Sequence, residues 1–187
     1  LFLLFQPIYG AARKDLRSFE TLIRWQSPKF GLVSPSRFIS VAESAGFIIP
    51  MGEWILRTAC RRFKDIGDQY GITPILSVNI SAIQMMSPTF VKSVRTILAE
   101  TGFDPHYLEF EITESVFISS VDYVVNIINE LKGIGIRFAL DDFGTGYSSL
   151  RYLQMLPIDT LKIDKSFIDS ISIEGAGHCL VASIISL

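Results

Sequence analysis

Tyr107-Leu108-Glu109-Phe110-Glu111-Ile112-Thr113 is the stretch whose reading decides the fold. Along a β-strand successive side chains point to opposite faces, so Leu108, Phe110 and Ile112 fall on one face and Glu109, Glu111 and Thr113 on the other. The same division recurs on either side. Leu76, Val78 and Ile80 oppose Ser77, Asn79 and Ser81, and Ile136, Phe138 and Leu140 oppose Arg137, Ala139 and Asp141. Leu161 and Ile163 oppose Thr160, Lys162 and Asp164. Nearer the start, Phe19, Thr21, Ile23 and Trp25 oppose Glu20, Leu22 and Arg24.

Working outward, six strands are expected: Leu1–Ile8, Ser18–Trp25, Ile75–Ser81, Tyr107–Thr113, Ile136–Asp141 and Thr160–Asp164. Between the later ones lie helical stripes of period 3.6. One carries Met51, Trp54, Ile55, Ala59, Phe63 and Ile66, a second Phe90, Val91, Val94, Ile97 and Leu98, and a third Val121, Val124, Val125, Ile128 and Leu131. Ser87-Pro88 reads as an N-cap and first helical residue, and Gly133 as a residue just past a C-terminus. Strands alternating with helices predict right-handed βαβ units in a parallel sheet. The first two strands are separated by only about nine residues, too few for a helical crossover, and are expected to pair antiparallel.

An alternating strand is ordinary in an antiparallel sheet with one wet face. Parallel strands joined by helices are covered on both faces, so a polar face lined by Glu20, Glu111, Asp141 and Lys162 calls for a barrel lumen built around ions. The expected fold class is therefore α/β, a TIM-like (β/α) barrel with an antiparallel first strand. Such barrels ordinarily use eight strands and about 250 residues, and six strands in 187 residues read as an incomplete one. Ala182-Ser183-Ile184-Ile185 reads as a helix stopped midway.

With 49% hydrophobic and 19% charged residues, the chain is globular rather than disordered. A net charge of -2 argues against an electrostatic grip on duplex nucleic acid. Cys60 and Cys179 lack metal-ligand spacing and form no disulfide framework, which fits a reducing, cytoplasmic compartment. The apolar start Leu1-Phe2-Leu3-Leu4-Phe5 is too short to span a bilayer, so any membrane tether is expected outside this chain.

Hard divalent ions such as Mg²⁺ or Mn²⁺ take oxygen ligands, and Glu20, Asn79, Glu111 and Asp141 supply carboxylates and an amide carbonyl from separate strands. Adjacent carboxylates in Asp141-Asp142 can serve two ions if the chain turns there, which the glycines of Phe143-Gly144-Thr145-Gly146 permit. Two ions roughly 4 Å apart suit an in-line displacement at phosphorus. Lys162 either orients a water or phosphate or acts as counter-ion to a buried carboxylate cluster. Arg24 either grips phosphate or pairs with Glu109 or another lumen acid. His106 and His178 lie off the polar parity and read as surface or packing residues.

The set Gln6-Pro7-Ile8, Glu20-Thr21-Leu22-Ile23-Arg24-Trp25, Asn79-Ile80-Ser81, Glu111-Ile112-Thr113-Glu114, Asp141-Asp142-Phe143-Gly144-Thr145-Gly146 and Lys162-Ile163-Asp164 closely resembles the EAL-domain family over nearly the whole chain. That resemblance implies a bacterial signalling phosphodiesterase that opens cyclic di-GMP to linear pGpG with Mg²⁺ or Mn²⁺, two ions in all. It implies metal ligands at Glu20, Asn79, Glu111 and Asp141, with Asp142 completing a second position, and a water-positioning Lys162. Glu20 and Asp142 are expected to take part in catalysis beside Lys162, and Gln6, Arg24 and Asp164 to contact the substrate. Glu114 resembles a glutamate that holds the loop after Asp142, and that loop with Tyr147–Leu153 resembles a homodimerisation region.

Two departures stand out. Thr21 replaces the alanine of the signature tripeptide on the outward parity, where it should affect packing more than ligation. The family's later acidic motif and a following glutamine have no counterpart before Leu187, so residues 1–187 read as an EAL-type domain lacking its C-terminal part. These departures motivate an alternative, a catalytically inactive cyclic di-GMP receptor or regulatory domain. A module without nucleotide binding would act through protein contacts around Phe143 instead.

Overall fold

The computed structural model describes residues 1–118, 120–143 and 156–170. The first strands, β1 (Phe2–Tyr9) and β2 (Leu16–Ser27), pair antiparallel as expected, with Gln6 opposite Glu20. Next come β3 (Gly31–Val33), α1 (Pro35–Ser44), α2 (Ile48–Tyr70) and β4 (Ile75–Asn79). They are followed by α3 (Ala82–Met85), α4 (Phe90–Thr101) and β5 (Leu108–Thr113), then α5 (Val121–Lys132), β6 (Arg137–Phe143), β7 (Thr160–Ile163) and α6 (Lys165–Ser170). The sheet order is β1-β2-β4-β5-β6-β7, with β3 hydrogen-bonded to β2 beside that path. From β2 to β7 every pairing along the path is parallel.

Why the sheet curls is visible in one distance. Four strand steps separate β2 from β7, about 19 Å in a flat sheet. Yet Lys162 Nζ on β7 lies 3.5 Å from Glu20 Oε2 on β2, so the strands wrap into a TIM-like barrel wall.

The apolar faces point outward onto the helices. Leu76, Val78, Phe110, Ile112, Phe138 and Leu140 are buried, and Phe110 meets Phe138 edge-on at 5.8 Å and Phe90 of α4 at 6.0 Å. Phe63 of α2 receives Phe5 and Phe19 at 5.0 and 5.3 Å. Each such side chain contributes roughly 1.5–3 kcal/mol when fully buried, which is what fixes the strand faces and therefore the register. The glycines Gly71 and Gly102 end α2 and α4 in left-handed conformation (φ 66° and 64°), which a side chain would strain.

Three sequence expectations are corrected. Ser87-Pro88 does not open α4: the helix starts at Phe90 with Thr89 as its N-cap, and Ser87 accepts the Phe90 N–H through its carbonyl in the preceding turn. Ser81 is not the end of β4 but the N-cap of α3, where Ser81 and Gln84 form a reciprocal capping box. β3, α1 and α3 are not evident in the sequence, because three- and four-residue elements show no period and α1 carries three serines among its ten residues. The expected helix at 182–185 lies outside the described residues. Among the described residues no helix is long and apolar enough to cross a membrane.

Candidate metal and phosphodiester site

Glu20 lies early in β2, which at first sight removes it from the C-terminal rim where such barrels carry their chemistry. The register resolves this. β2 pairs with β4 only from Ser18 to Thr21, stays paired with β1 as far as Arg24, and pairs with β3 from Trp25 to Ser27. Glu20 therefore stands near the end of the part of β2 that is paired with β4.

Carboxylate oxygens of Glu20, Glu111 and Asp141 all lie within 4.8 Å of one another. Lys162 sits among them, its Nζ donating to Glu111 Oε2 at 2.8 Å, Asp141 Oδ2 at 3.0 Å and Glu20 Oε2 at 3.5 Å. Asn79 Nδ2 donates to Glu20 Oε1 at 3.2 Å, so it is the amide nitrogen that faces the acid and its oxygen stays available as a ligand. The structure thus brings together Glu20, Asn79, Glu111, Asp141 and Lys162 from five strands.

Asp142 follows directly. Its backbone N–H donates to Asp141 Oδ1 at 3.0 Å, and at φ 53° it is in the left-handed region, the kind of strain that clusters at functional sites. This break in register inside β6 brings two consecutive carboxylates to the cluster, where Asp142 feels the charges of Asp141, Asp164, Lys162 and Glu20.

The electrostatics are lopsided. Burial pushes the Glu111 carboxyl up to about 7, against the opposing hydrogen bond and charge of Lys162 and with the help of Glu20 and Asp141. Asp142 is raised by burial and by the charges of Asp141, Asp164 and Glu20, with Lys162 opposing. Burial works to lower Lys162, but the hydrogen bond and charge of Glu111, with Glu20 and Asp141, hold it above the ordinary lysine range. One ammonium serves several acids, and the buried oxygen Glu111 Oε1 has no hydrogen-bond partner among the described residues. An orphaned buried carboxylate oxygen amid clustered oxygen ligands fits a hard divalent cation.

The two sequence readings of Lys162 are compatible: it is the counter-ion of the cluster and it points into the site. Arg24 does not pair with Glu109. Its Nη1 donates to the Ile23 carbonyl at 2.9 Å, whereas Glu109 is taken by Ser77, Thr160 and Arg137. Arg24 and Gln6 share the lumen-facing parity with Glu20 but make no described hydrogen bond to the cluster. Asp164, just past β7, accepts the Ser166 N–H at 2.9 Å and the Ser166 hydroxyl, which together hold its carboxyl below the usual range and start α6. Glu114 opens a 3-10 turn, Glu114–Ile118, directly after β5.

His106 is a surface residue as expected, with Nδ1 2.8 Å from Asp104 Oδ1. His178, Cys179, Gly144–Gly146 and the expected dimer segment Tyr147–Leu153 lie outside the described residues. Thr21 is buried on the outward face, and its hydroxyl has no hydrogen-bond partner among the described residues. The sequence places Ser77 and Thr160 on the polar face without a role and offers Glu109 as a partner of Arg24, whereas the structure joins the three in a layer of their own beneath the site.

The family model of the EAL domain matches residues 1–187. Protein sll1895 of Synechocystis sp. is 46% identical over 165 residues, which are 88% of this chain and 24% of that protein. The bifunctional diguanylate cyclase/cyclic di-GMP phosphodiesterase MucR of Pseudomonas aeruginosa is 37% identical over 187 residues, 100% of this chain and 27% of MucR. A solved structure of the MucR phosphodiesterase in complex with c-di-GMP matches with a TM-score of 0.92 at 36% identity, covering 99% of this chain and 75% of that one. The chain spans about a quarter of the length of these curated relatives. A carboxylate cluster at the rim of a TIM-like wall and a family match running from the first residue to the last lead to one conclusion: the chain belongs to the EAL domain family.

Proposed function

We propose that residues 1–187 form an EAL-type domain that hydrolyses cyclic di-GMP to linear pGpG with two divalent ions, Mg²⁺ or Mn²⁺. The observation that carries this reading is the convergence of Glu20, Glu111 and Asp141 around the orphaned oxygen of Glu111. Glu20, Asn79, Glu111 and Asp141 would hold the first ion, and Asp142 would complete the second position. When bound, the two ions supply an acidified water and positive charge on the attacking and leaving oxygens of an in-line displacement.

The rest is the work of the chain. Lys162, permanently charged by its three acidic neighbours, orients the attacking water or the phosphate as a point charge. Arg24 offers a planar fork to a phosphate oxygen pair, and Gln6, opposite Glu20 on β1, contacts the nucleotide from the neighbouring strand. Asp164 lines the same rim, and Glu114 braces the segment after Asp142. Two copies pair through that segment and Tyr147–Leu153. A cytoplasmic setting accords with Cys60 as a buried free thiol, which burial pushes up to about 12 and so keeps inert.

The test is chromatographic. Protein incubated with cyclic di-GMP and Mn²⁺ or Mg²⁺ should yield pGpG, chelation should stop it, and Glu20→Ala should lower turnover by about 10²–10³-fold. Metal-replete protein that binds the nucleotide in calorimetry without turning it over would reject the enzyme in favour of a receptor domain.

A further inference from the structure

One layer below the carboxylate cluster, on the same face of β5, Glu109 is 7% exposed and reaches three other strands at once. Its Oε1 accepts a hydrogen bond from Ser77 Oγ on β4 at 3.0 Å, and its Oε2 accepts one from Thr160 Oγ1 on β7 at 2.9 Å. Arg137 Nε on β6 stands 3.9 Å from Oε2. The strands β5 and β7 are not neighbours, since β6 runs between them. The bond crosses β6 where Ala139 pairs with Glu111 on one side and Thr160 on the other, and a lone methyl leaves room for longer side chains to meet over it. The Lys162–Glu111 bond makes the same crossing two residues further along both strands.

Backbone pairing holds β7 poorly. It matches β6 at Ala139↔Thr160, Leu140↔Leu161 and Phe143↔Ile163, with the register broken between Leu140 and Phe143. At its start Asp159 is tied to β6 and α5: its N–H donates to the Phe138 carbonyl at 2.8 Å, its Oδ2 accepts the Phe138 N–H at 2.9 Å, and Lys132 Nζ donates to its Oδ1 at 2.6 Å. Those bonds fix where β7 begins along β6. They leave open how far it leans into the lumen.

We propose that Glu109 is a positioning residue that, through Thr160, holds β7 at the depth where Lys162 meets Glu111 and Asp141. Its kinetic consequence rests on the phosphodiesterase reading above, whereas its effect on Lys162 does not. Three charged partners around Nζ tolerate little displacement, because a hydrogen bond weakens steeply with distance and angle.

Two readouts on the full chain test it. Thr160→Val removes the hydroxyl at nearly constant shape. Labelling of Lys162 by an amine-reactive ester, followed by mass spectrometry on native protein, should then quicken about fivefold. In the same variant kcat for cyclic di-GMP should fall about tenfold with KM within about twofold. Thr160→Ser keeps the hydroxyl and should return both quantities to within about twofold of the unsubstituted chain. If Thr160→Val does not fold, Thr160→Ala, which also removes the hydroxyl, carries the same comparison. Lys162 labelling that stays slow in Thr160→Val, or quick in Thr160→Ser, overturns the proposal. Should the unsubstituted chain turn over no cyclic di-GMP, the activity is rejected and the labelling alone decides the role of Glu109.

Discussion

Glu109 and Glu111 lie two residues apart on β5, on the same face, and both are buried, yet their surroundings differ in kind. Glu109 has both oxygens hydrogen-bonded, to Ser77 and to Thr160, and a half-exposed arginine nearby. Glu111 has one oxygen on Lys162 and the other without a partner among the described residues, with two more carboxylates within 4.8 Å. The lower layer of the lumen is a closed hydrogen-bond network of the kind that stabilises a fold. The upper layer is an open one, with more acids than the single Lys162 compensates among the described residues, an arrangement that suits a bound cation.

The largest expected effect comes from making one substitution in both layers. Glu111→Met should reduce turnover by at least about 10²-fold. In the presence of a chelator it should leave the melting temperature unchanged or raise it, because Lys162 keeps Asp141 and Glu20 while a desolvated carboxyl is removed. Glu109→Met should do the reverse to stability, costing about 1–3 kcal/mol in denaturant unfolding by stranding the buried Ser77 hydroxyl and the half-buried Thr160 hydroxyl. Equal destabilisation by the two substitutions would break the contrast between the layers.

A second, smaller effect is a pH slope carried by the upper layer alone. Between the ordinary value of 4.5 and about 7 the unfolded chain has released the Glu111 proton while the folded chain keeps it. The folded state then binds more protons, so metal-free stability should fall as pH rises through this window. The raised carboxyl of Asp142 adds in the same direction. The lowered carboxyls of Asp104 and Asp164 act below about 3.8, where their stabilisation is lost as pH falls. Chemical denaturation with chelator from pH 4.5 to 7.5 should show the slope in the unsubstituted chain and a flatter line in Glu111→Met. Divalent binding measured by calorimetry should strengthen over the same interval, since the ligand must be ionised.

The smallest effect concerns the outer face of the wall. Thr21 buries a hydroxyl with no described partner, so Thr21→Ala should raise stability by up to about 1 kcal/mol, the polar desolvation relieved exceeding the lost methyl contacts. Because Thr21 points away from Glu20's face, turnover should stay within about twofold. A fall in turnover at constant stability would show that the tripeptide position acts on ligation after all.

Much of this was legible in the residues. Alternation within each strand told the helix-facing side from the lumen side, so Glu20, Asn79, Glu111, Asp141 and Lys162 could be placed on one surface before any coordinates were known. The antiparallel pairing of β1 with β2 followed from a connection too short to cross over. Short elements escaped because three or four residues carry no period, as with β3 and α3. The start of α4 was misplaced because Ser-Pro fits a turn before a helix as well as a cap on it.

What the sequence by itself determined is which side chains share a face, because a period of two is a property of the local backbone and of the solvent each face meets. Only the tertiary structure decided which of those side chains meet. The curvature that brings β7 to β2, the small Ala139 that lets β5 reach β7, and the parting of β2 from β4 after Thr21 depend on how strands pair at a distance. Two glutamates that look alike in the sequence thus take different parts because one finds hydroxyl donors from β4 and, across β6, from β7, and the other finds further acids.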